Sequence, residues 1–267
     1  VISSLGLSFT DYNVYKNEAV WAGLKHYLKM FKDPGFWMAL RNTMFVVFVS
    51  VFGQIPIGFI LAYILYRKLV RFQGFFQGMV FLPVTISVIV VGILWSKMFS
   101  PIGAITGLLK IIHNNPQYTI GIVNDKNLAM LPIGFVLLWL YTGFYMIVFL
   151  ANLQKLDPSI IEAATIDGAS ETQVFLKVVV PSLSGVIVVL TIFAIAGSFK
   201  GFDLIFALTG GGPANYTEVL TIYMYRYAFV FNNYSFGCAI SMFIVAISMI
   251  LIVLTRFIKV KLAGTEG

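Results

Sequence analysis

Few side chains in this sequence could do chemistry, because 59% of its 267 residues are hydrophobic and only 11% are charged. Lys200 and Asp203 are three positions apart in an apolar run, so a continuous helix would place both on one face. Ionisable side chains in such runs are costly and usually functional. Their ammonium and carboxylate groups could hydrogen-bond the hydroxyls of a substrate. Alternatively, the two could pair with each other, or Lys200 could extend to the membrane surface.

A second polar segment, EAATIDGAS at Glu162–Ser170, interrupts the apolar sequence. Asp157 and Pro158 before it predict the start of a helix, with an acceptor side chain at the N-cap and a fixed φ at the first helical position. Gly168 predicts the end of that helix, because glycine readily takes the left-handed conformation of a sharp stop.

The sequence after Gly168 predicts a second short helix. Ser170 and Gln173 match a capping box, which would restart the helix, and Pro181 would end it where the next apolar run begins. The two short helices and the bend between them lie outside the apolar runs. They are either an ordinary amphipathic connector or a surface for another protein.

Small side chains favour the second of these interpretations. Ala163, Ala164 and Gly168 would let the backbone of a partner approach closely, and Glu162 and Asp167 would offer carboxylates to a basic partner. A helix of this kind suits docking into a groove of another protein.

Long uncharged runs surround the polar residues described above. These runs predict that the chain lies in a membrane. Soluble domains carry roughly a quarter charged residues, whereas a bilayer core about 30 Å thick requires about 20 apolar residues per helix. The runs are continuous rather than alternating, so each predicts a helix that satisfies its own backbone hydrogen bonds. They cover Thr43–Tyr66, Phe75–Trp95, Leu131–Asn152, Gly185–Phe199 and Phe236–Thr255, and the fourth continues past Lys200 to about Leu208.

The sequence therefore predicts an all-α integral membrane protein, a polytopic helical bundle with five complete transmembrane spans. The opening VISSLGLSF is too short to span a bilayer and lacks a basic n-region, so we expect it to be the remnant of a sixth span that begins before Val1. The predicted divisions are the remnant with an extracytoplasmic loop (1–41), a transmembrane domain (42–260) that contains the polar loop (153–183), and a cytoplasmic tail (261–267).

Basic residues set the expected orientation, because short cytoplasmic loops are rich in Lys and Arg. The loops after the first and third complete spans and the C-terminal tail are basic, and we assign them to the cytoplasm. The net charge of +7 follows from this topology and gives little reason to expect a nucleic-acid partner. The residues that set it are Arg67, Lys68, Arg71, Lys155, Lys177, Arg256, Lys259 and Lys261.

The other reactive residue types predict neither a metal site nor a catalytic site. Cys238 is the only cysteine, which excludes an internal disulfide. His26 and His113 are far apart in the sequence, and we expect both to be solvated loop residues. The run Gly210–Gly212 lacks the Lys-Ser/Thr ending of a phosphate loop, so we interpret it as a turn that caps a helix.

The residues Glu162-Ala163-Ala164, then Gly168, then an apolar helix up to Pro181, resemble the EAA loop of bacterial ABC importer permeases. Other segments resemble the carbohydrate-uptake branch of that family, in particular the larger permease subunit of the maltose transporter. Asn152 stands where that branch usually has a glycine, and Lys200 where many relatives are neutral. The matching segments are LSFTDYN (7–13), WLYTGFYMIVFLANLQKLDP (139–158), GFDLIFALTGGGP (201–213) and TIYMYRYAF (221–229).

The resemblance implies a permease subunit of an ATP-driven sugar importer in the bacterial cytoplasmic (inner) membrane. It implies a heterodimer with a second homologous permease, two ATPase subunits that bind ATP and Mg, and an extracytoplasmic solute-binding protein. The chain itself would carry no cofactor. The residues implied to couple it to the ATPase are Glu162, Ala163, Ala164, Asp167 and Gly168.

The resemblance also implies a substrate pathway for a mono- or oligosaccharide. A neutral oligosaccharide is the default, and Lys200 keeps an acidic sugar or a glycerol phosphate derivative open. Aromatic rings also pack against lipid. An individual ring is therefore assigned to the pathway only where the family pattern places it there. The implied pathway residues are Trp139, Tyr145, Lys200, Asp203, Phe206 and, more weakly, Ser241.

One alternative from another class stays open. The chain could be an ion-coupled secondary transporter or a channel that uses Lys200 and Asp203, and it would then work without nucleotide. A membrane-bound enzyme is disfavoured, because the apolar runs contain no paired carboxylates and no histidine cluster with ligand spacing.

Overall fold

The computed structural model describes residues 2–13, 18–112 and 129–263, so His113 and the last four residues of the predicted tail lie outside it. These residues form α1 (Ile2–Ser8), β1 (Thr10–Asn13), β2 (Glu18–Trp21), α2 (Lys25–Lys32), α3 (Pro34–Val49), α4 (Ile55–Tyr66), α5 (Gln73–Thr85), α6 (Val88–Met98), α7 (Ala104–Ile112), α8 (Met130–Leu153), α9 (Pro158–Ile166), α10 (Glu171–Val174), α11 (Val180–Ser182), α12 (Ser184–Lys200), α13 (Asp203–Thr209), α14 (Leu220–Tyr225) and α15 (Tyr234–Ala263). Single π-helical turns at Ser50–Gln54, Phe175–Val179 and Arg226–Val230 connect α3 to α4, extend α10 and extend α14.

A short β-hairpin corrects the all-α prediction. Strands β1 and β2 pair antiparallel, with Thr10 opposite Trp21 and Asn13 opposite Glu18. The threonine, tyrosine, valine and tryptophan of the two strands are residues that favour extended backbone. Hydropathy missed the hairpin because strands of four residues carry no long apolar run.

Long apolar helices dominate the described residues and confirm the helical membrane class. Three of them are long and apolar enough to cross a membrane: Pro34–Tyr66, Met130–Leu153 and Tyr234–Phe257. Two further apolar segments each consist of two helices that meet at a sharp bend, of 95° between α5 and α6 and of 73° before α12. By length and composition, the described residues therefore hold three helices that could each cross a membrane, or up to five crossings if each bent pair is one span.

The run Phe75–Trp95 is not the continuous helix that was predicted. Helix α5 ends at Thr85, Ile86 is extended with φ −85° and ψ 143°, and α6 begins after Ser87. Pro83 removes a backbone donor just before the end of α5, and serine at position 87 is a residue type favoured before a helix start.

The predicted continuation of the fourth run to Leu208 is also wrong. Helix α12 ends at Lys200, where the Phe202 N–H turns back to donate to the Lys200 carbonyl at 2.8 Å. The Gly201 carbonyl accepts instead from the Thr221 hydroxyl at 3.2 Å. Lys200 and Asp203 therefore stand on two helices rather than on one face of one helix.

The chain divides into two compact units. The first comprises Val1–Val47, Ser87–Val136 and Ala196–Ile252, and the second Phe48–Ile86, Leu137–Ile195 and Val253–Gly267. In the first, the buried Asn42 amide donates to the carbonyls of Tyr216 at 2.9 Å and Glu218 at 2.8 Å, which fixes the loop after α13. In the second, Phe59 stacks on Phe149 with ring centroids 4.3 Å apart.

Close backbone contact holds α8 against α5 in the second unit. A β-carbon at Gly143 would lie 2.2 Å from the Val80 carbonyl oxygen and 2.8 Å from the Phe81 α-carbon. Neither neighbour is a flexible side-chain end, so a larger residue can enter only if the two helices move apart.

Gly143→Ala is therefore expected to lower the thermal unfolding midpoint in detergent by several degrees, because overpacking of this kind costs about 1–3 kcal/mol. Gly78→Ala is the matched control on α5, where an added β-carbon meets nothing within 4 Å. Equal midpoints for the two variants would contradict the close approach of α8 and α5.

Candidate functional site

Helix α9 begins as the sequence predicted. The Asp157 side chain is the N-cap and accepts from the Ser159 N–H at 3.0 Å, with Pro158 in the first turn. Hydrogen bonding from Ser159 lowers the pKa of Asp157. Ile161 is buried at 4% exposure, which fixes the face that α9 turns toward the protein.

The end of α9 and the restart of the chain also follow the prediction. Gly168 has φ +80°, its N–H donates to the Thr165 carbonyl at 3.1 Å, and the Ala169 N–H donates to the Ala164 carbonyl at 3.0 Å. This pair of bonds is a Schellman motif. Ser170 and Gln173 then exchange the two hydrogen bonds of a capping box.

The second helix runs through a π-helical turn and ends at Ser182, one residue after Pro181. Val174 is fully buried and belongs with Ile161 to the same apolar cluster as Phe59, Leu65 and Leu153. The loop is therefore seated on the second unit by one buried side chain from each of its helices.

Most of the other residues of α9 and its C-terminal cap are exposed. Glu162, Ala163, Asp167 and Gly168 are exposed, and Ala164 is half-buried. Two large apolar side chains flank them, Ile160 at 48% and Ile166 at 85% exposure. We call these seven residues the α9 surface; it joins small and apolar residues to two carboxylates.

An ion pair that the sequence did not predict ties the loop to the end of α4. Arg67 donates through Nε to Glu171 Oε1 at 2.6 Å and through Nη2 to Oε2 at 2.9 Å, and the Tyr63 hydroxyl donates to Oε1 at 2.9 Å. The bond from Arg67 lowers the pKa of Glu171 and raises that of Arg67. The two residues are 104 positions apart, and neither shows a local pattern that would identify the other.

The predicted pathway residues Lys200, Asp203 and Phe206 lie on the first unit around the break between α12 and α13. Lys200 and Asp203 are exposed, and within the described part of the chain they form no ion pair with each other. Phe206 is 43% exposed and stacks on Phe202 with ring centroids 4.8 Å apart, and Tyr225 closes the group at 5.7 Å.

The other three predicted pathway residues are not part of that group. Trp139 and Tyr145 belong to the second unit, where Trp139 is 38% exposed and Tyr145 is buried. Ser241 is half-buried on α15.

His26 corrects the prediction of a solvated loop residue. It lies on α2 and is buried, with Nε2 at 3.0 Å from Asp11 Oδ1 and 3.1 Å from the Thr10 carbonyl oxygen. The turn predicted for the glycine run is confirmed, since Gly210 has φ +61° and caps α13 by donating to the Phe206 carbonyl.

These features define an integral membrane protein of the polytopic helical class, with a capped helical loop between the apolar helix Met130–Leu153 and α12. Comparison with known proteins gives the family. The chain belongs to the binding-protein-dependent transport system inner membrane components, whose family model matches residues 54–263.

Two relatives illustrate the match. The lactose transport system permease protein LacF of Rhizobium radiobacter is 35% identical over 234 residues, which cover 86% of this chain and 78% of LacF. The multiple sugar-binding transport system permease protein MsmF of Streptococcus mutans serotype c is 32% identical over 260 residues, which cover 96% of this chain and 86% of MsmF.

A solved structure has the same fold. It is a chain of a bacterial ABC transporter involved in the import of the acidic polysaccharide alginate, with a TM-score of 0.81 at 23% identity over 97% of this chain and 89% of that one. The protein described here is thus a multi-pass, inner-membrane permease component of an ABC transport system.

Glu171→Gln is expected to weaken the attachment of the loop at neutral pH by less than about 1 kcal/mol, because the paired side chains of Arg67 and Glu171 are 29% and 45% exposed and solvent screens them. Because pairing lowers the pKa of Glu171, this stabilisation is present above the ordinary carboxyl range and is lost as the pH falls through the lowered value.

Thermal unfolding of the wild type and the variant across a pH series measures this difference. Glu162→Gln, in the same loop, is the control, because it removes an exposed carboxylate that forms no ion pair within the described part of the chain. A Glu171→Gln difference that stays constant into the acid range would contradict the ion pair.

Proposed function

We propose that this chain is the translocation subunit of an ATP-driven sugar importer and that an ATPase subunit binds the α9 surface. The observation that carries the proposal is the α9 surface itself, an exposed small-residue helix face on a loop that is capped at both ends of its bend. The small side chains of Ala163 and Gly168 leave room for the backbone of a partner, and Glu162 and Asp167 can pair with basic side chains.

Motion of α9 would reach the membrane through three attachments. Ile161 and Val174 are buried in the second unit, and Glu171 binds Arg67 directly after the span Pro34–Tyr66. A partner that moves α9 must therefore move the end of this span or break a buried apolar contact together with a bidentate ion pair. Closure of two ATPase subunits on ATP would supply such a movement.

The spans would respond as a two-state gate. We propose five complete spans: the three continuous helices, the bent pair α5–α6, and α12, with α10 and α11 remaining outside the membrane in the polar loop. They surround a cavity that opens alternately to the two sides. A ligand shifts such an equilibrium only through its different affinities for the two states. ATP in the partner subunits and substrate in the cavity would each favour one state.

The names of relatives support a sugar as the substrate. LacF is a lactose permease protein, MsmF belongs to a multiple sugar-binding system, and AraP of Bacillus subtilis is a permease protein for arabinooligosaccharides. Lys200 and Asp203 are exposed and do not pair with each other, and Phe206 presents a partly exposed ring beside them. Sugars bind in this way, with hydroxyls held by polar groups and an apolar ring face stacked on an aromatic side chain.

The remaining partners follow from the same proposal. A second homologous permease would complete the pathway, and a solute-binding protein would deliver the sugar to the side opposite α9. A fold relative has been solved in complex with an alginate pentasaccharide-bound periplasmic protein. On this chain we assign that contact to the loops within 11–41 and 215–233.

The proposal is tested by co-expressing the chain with its candidate partners and reconstituting the purified complex into vesicles. ATP-dependent uptake of a labelled oligosaccharide, with the ATPase subunits and a second permease in the complex, is the expected result. Uptake driven by an ion gradient without nucleotide would instead establish the secondary transporter.

Gly168→Val is expected to uncouple ATP hydrolysis from uptake. An added β-carbon meets nothing within 4 Å, so the cost arises from the left-handed backbone at φ +80°, about 1–2 kcal/mol for a side-chain-bearing residue. Gly168→Asn is the control, since asparagine tolerates this conformation, and it should retain most of the coupled transport. Full coupling in the valine variant would remove the proposed role of the bend.

Lys200→Ala is expected to raise the KM for uptake several-fold while the ATPase activity of the complex stays near its basal level. If the substrate is acidic, the loss should be greater for the acidic sugar than for a neutral one of equal length. The control is Lys97→Ala, which removes an exposed lysine of α6. Unchanged KM values across a panel of sugars would place Lys200 outside the pathway.

A further inference from the structure

Helix α2 carries three rows of side chains with different chemistry. Lys25, Lys29 and Lys32 are spaced i, i+4 and i+7 and form the lysine row. Leu24, Leu28 and Phe31 have the same spacing one position earlier and form the apolar row, so the two rows lie side by side along the helix.

The third row consists of His26 and Met30 and packs α2 against its own unit. His26 and Met30 are buried at 4% and 0% exposure, and the His26 ring lies against Phe236 with centroids 6.2 Å apart. This side of α2 faces its own unit. The apolar row points elsewhere, since Leu24 and Leu28 are each 60% and Phe31 is 44% exposed.

The lysine row borders an open pocket with a volume of about 660 Å³. The pocket is lined by Lys25, Leu28, Lys29, Lys32, Asp33 and Pro34. Lys25 is paired with Asp11 at 2.6 Å, and Lys29 lies 5.0 Å above the Phe236 ring. Within the described part of the chain, the Lys32 ammonium has no hydrogen-bond or ion-pair partner.

The one carboxylate at this surface is already engaged. Asp33 Oδ2 accepts from the Tyr223 hydroxyl at 2.6 Å and the Tyr227 hydroxyl at 3.0 Å, and Oδ1 accepts from the Gly35 N–H at 2.8 Å. With Asp33 held in this way, the Lys32 ammonium is the lining donor that has no partner among the described residues. Among the same residues Lys29 contacts only an aromatic ring, so both ammonium groups can donate to an anion.

The position of α2 indicates which anion. Its last residue, Lys32, stands two positions before the span Pro34–Tyr66, so α2 lies where that span enters the membrane. Trp37, in the second turn of the span, is 51% exposed and donates from Nε1 to the Phe31 carbonyl at 2.9 Å. The apolar row of α2 is therefore continuous with an exposed tryptophan at the start of the span, as expected of a helix at the bilayer surface.

We propose that α2 binds the membrane surface and that the lysine row holds the phosphate of an anionic phospholipid headgroup, with the apolar row inserted beside its acyl chains. A bilayer satisfies both rows at once, because it offers phosphates next to hydrocarbon over the length of a helix. An acidic protein segment would pair with Lys29 and Lys32 but would leave Leu24 and Leu28 in water.

The test is native mass spectrometry of the purified transporter in detergent, titrated with phosphatidylglycerol or with phosphatidylcholine. The wild type should bind phosphatidylglycerol more tightly than phosphatidylcholine. In the double variant Lys29→Gln/Lys32→Gln this preference should fall about 30-fold, the factor for two lysines that each interact with an anionic surface. The matched control, Lys97→Gln/Lys110→Gln, removes two lysines from α6 and α7 and should retain the preference.

A second variant separates a lipid from other anions. Leu24→Ser/Leu28→Ser should weaken the binding of both phospholipids. Binding of free phosphate would not depend on these two residues. The proposal is overturned if the lysine variant binds phosphatidylglycerol like the wild type, if inorganic phosphate displaces the lipid, or if the lysine variant loses a solute-binding protein and not the lipid.

Discussion

The structure depends first on the requirement that a backbone in lipid satisfies its hydrogen bonds within its own helix. Water is absent from the bilayer core, and each unpaired carbonyl or N–H there costs several kcal/mol. An apolar helix can therefore end inside the bilayer only where other groups replace the lost bonds. The break after Lys200 shows this directly, because the Gly201 carbonyl is taken by the Thr221 hydroxyl. In the α9 loop, side-chain caps at Asp157 and Ser170 and backbone bonds at Gly168 pair the end groups of the helices, which fixes where each helix begins and ends.

Sequence patterns correctly predicted the helix caps, because each cap is formed by residues close together in the chain. The N-cap at Asp157, the left-handed Gly168 and the capping box of Ser170 each involve residues within a few positions of one another, and the structure has all three. The three long apolar helices followed from composition in the same way, since apolar runs of sufficient length have few alternatives to a transmembrane helix. The breaks after Thr85 and after Lys200 were missed, because hydropathy does not register a proline or a glycine that interrupts a helix.

Contacts between distant residues could not be predicted from one sequence. Arg67 was identified only as a topology signal, although it holds the polar loop through Glu171. His26 was expected in solvent and is buried, because the amphipathic α2 turns it toward Asp11. Of the six pathway residues, three lie around the break between α12 and α13, and that break was itself hidden by an apparently continuous run. These contacts join residues that are far apart in the sequence, whereas each helix cap involves residues within a few positions of one another.

The two helices of the polar loop are joined by very little chain. Gly168 and Ala169 take part in the Schellman motif, and Ser170 already belongs to the capping box, so no residue between Ile166 and Glu171 lies outside both capping motifs. Exposed loops are usually where a protein accepts extra residues or an inserted tag most readily. Here an added residue would shift one cap out of register with the other, while Ile161 and Val174 keep both ends seated. The length of this segment is thus as constrained as its composition.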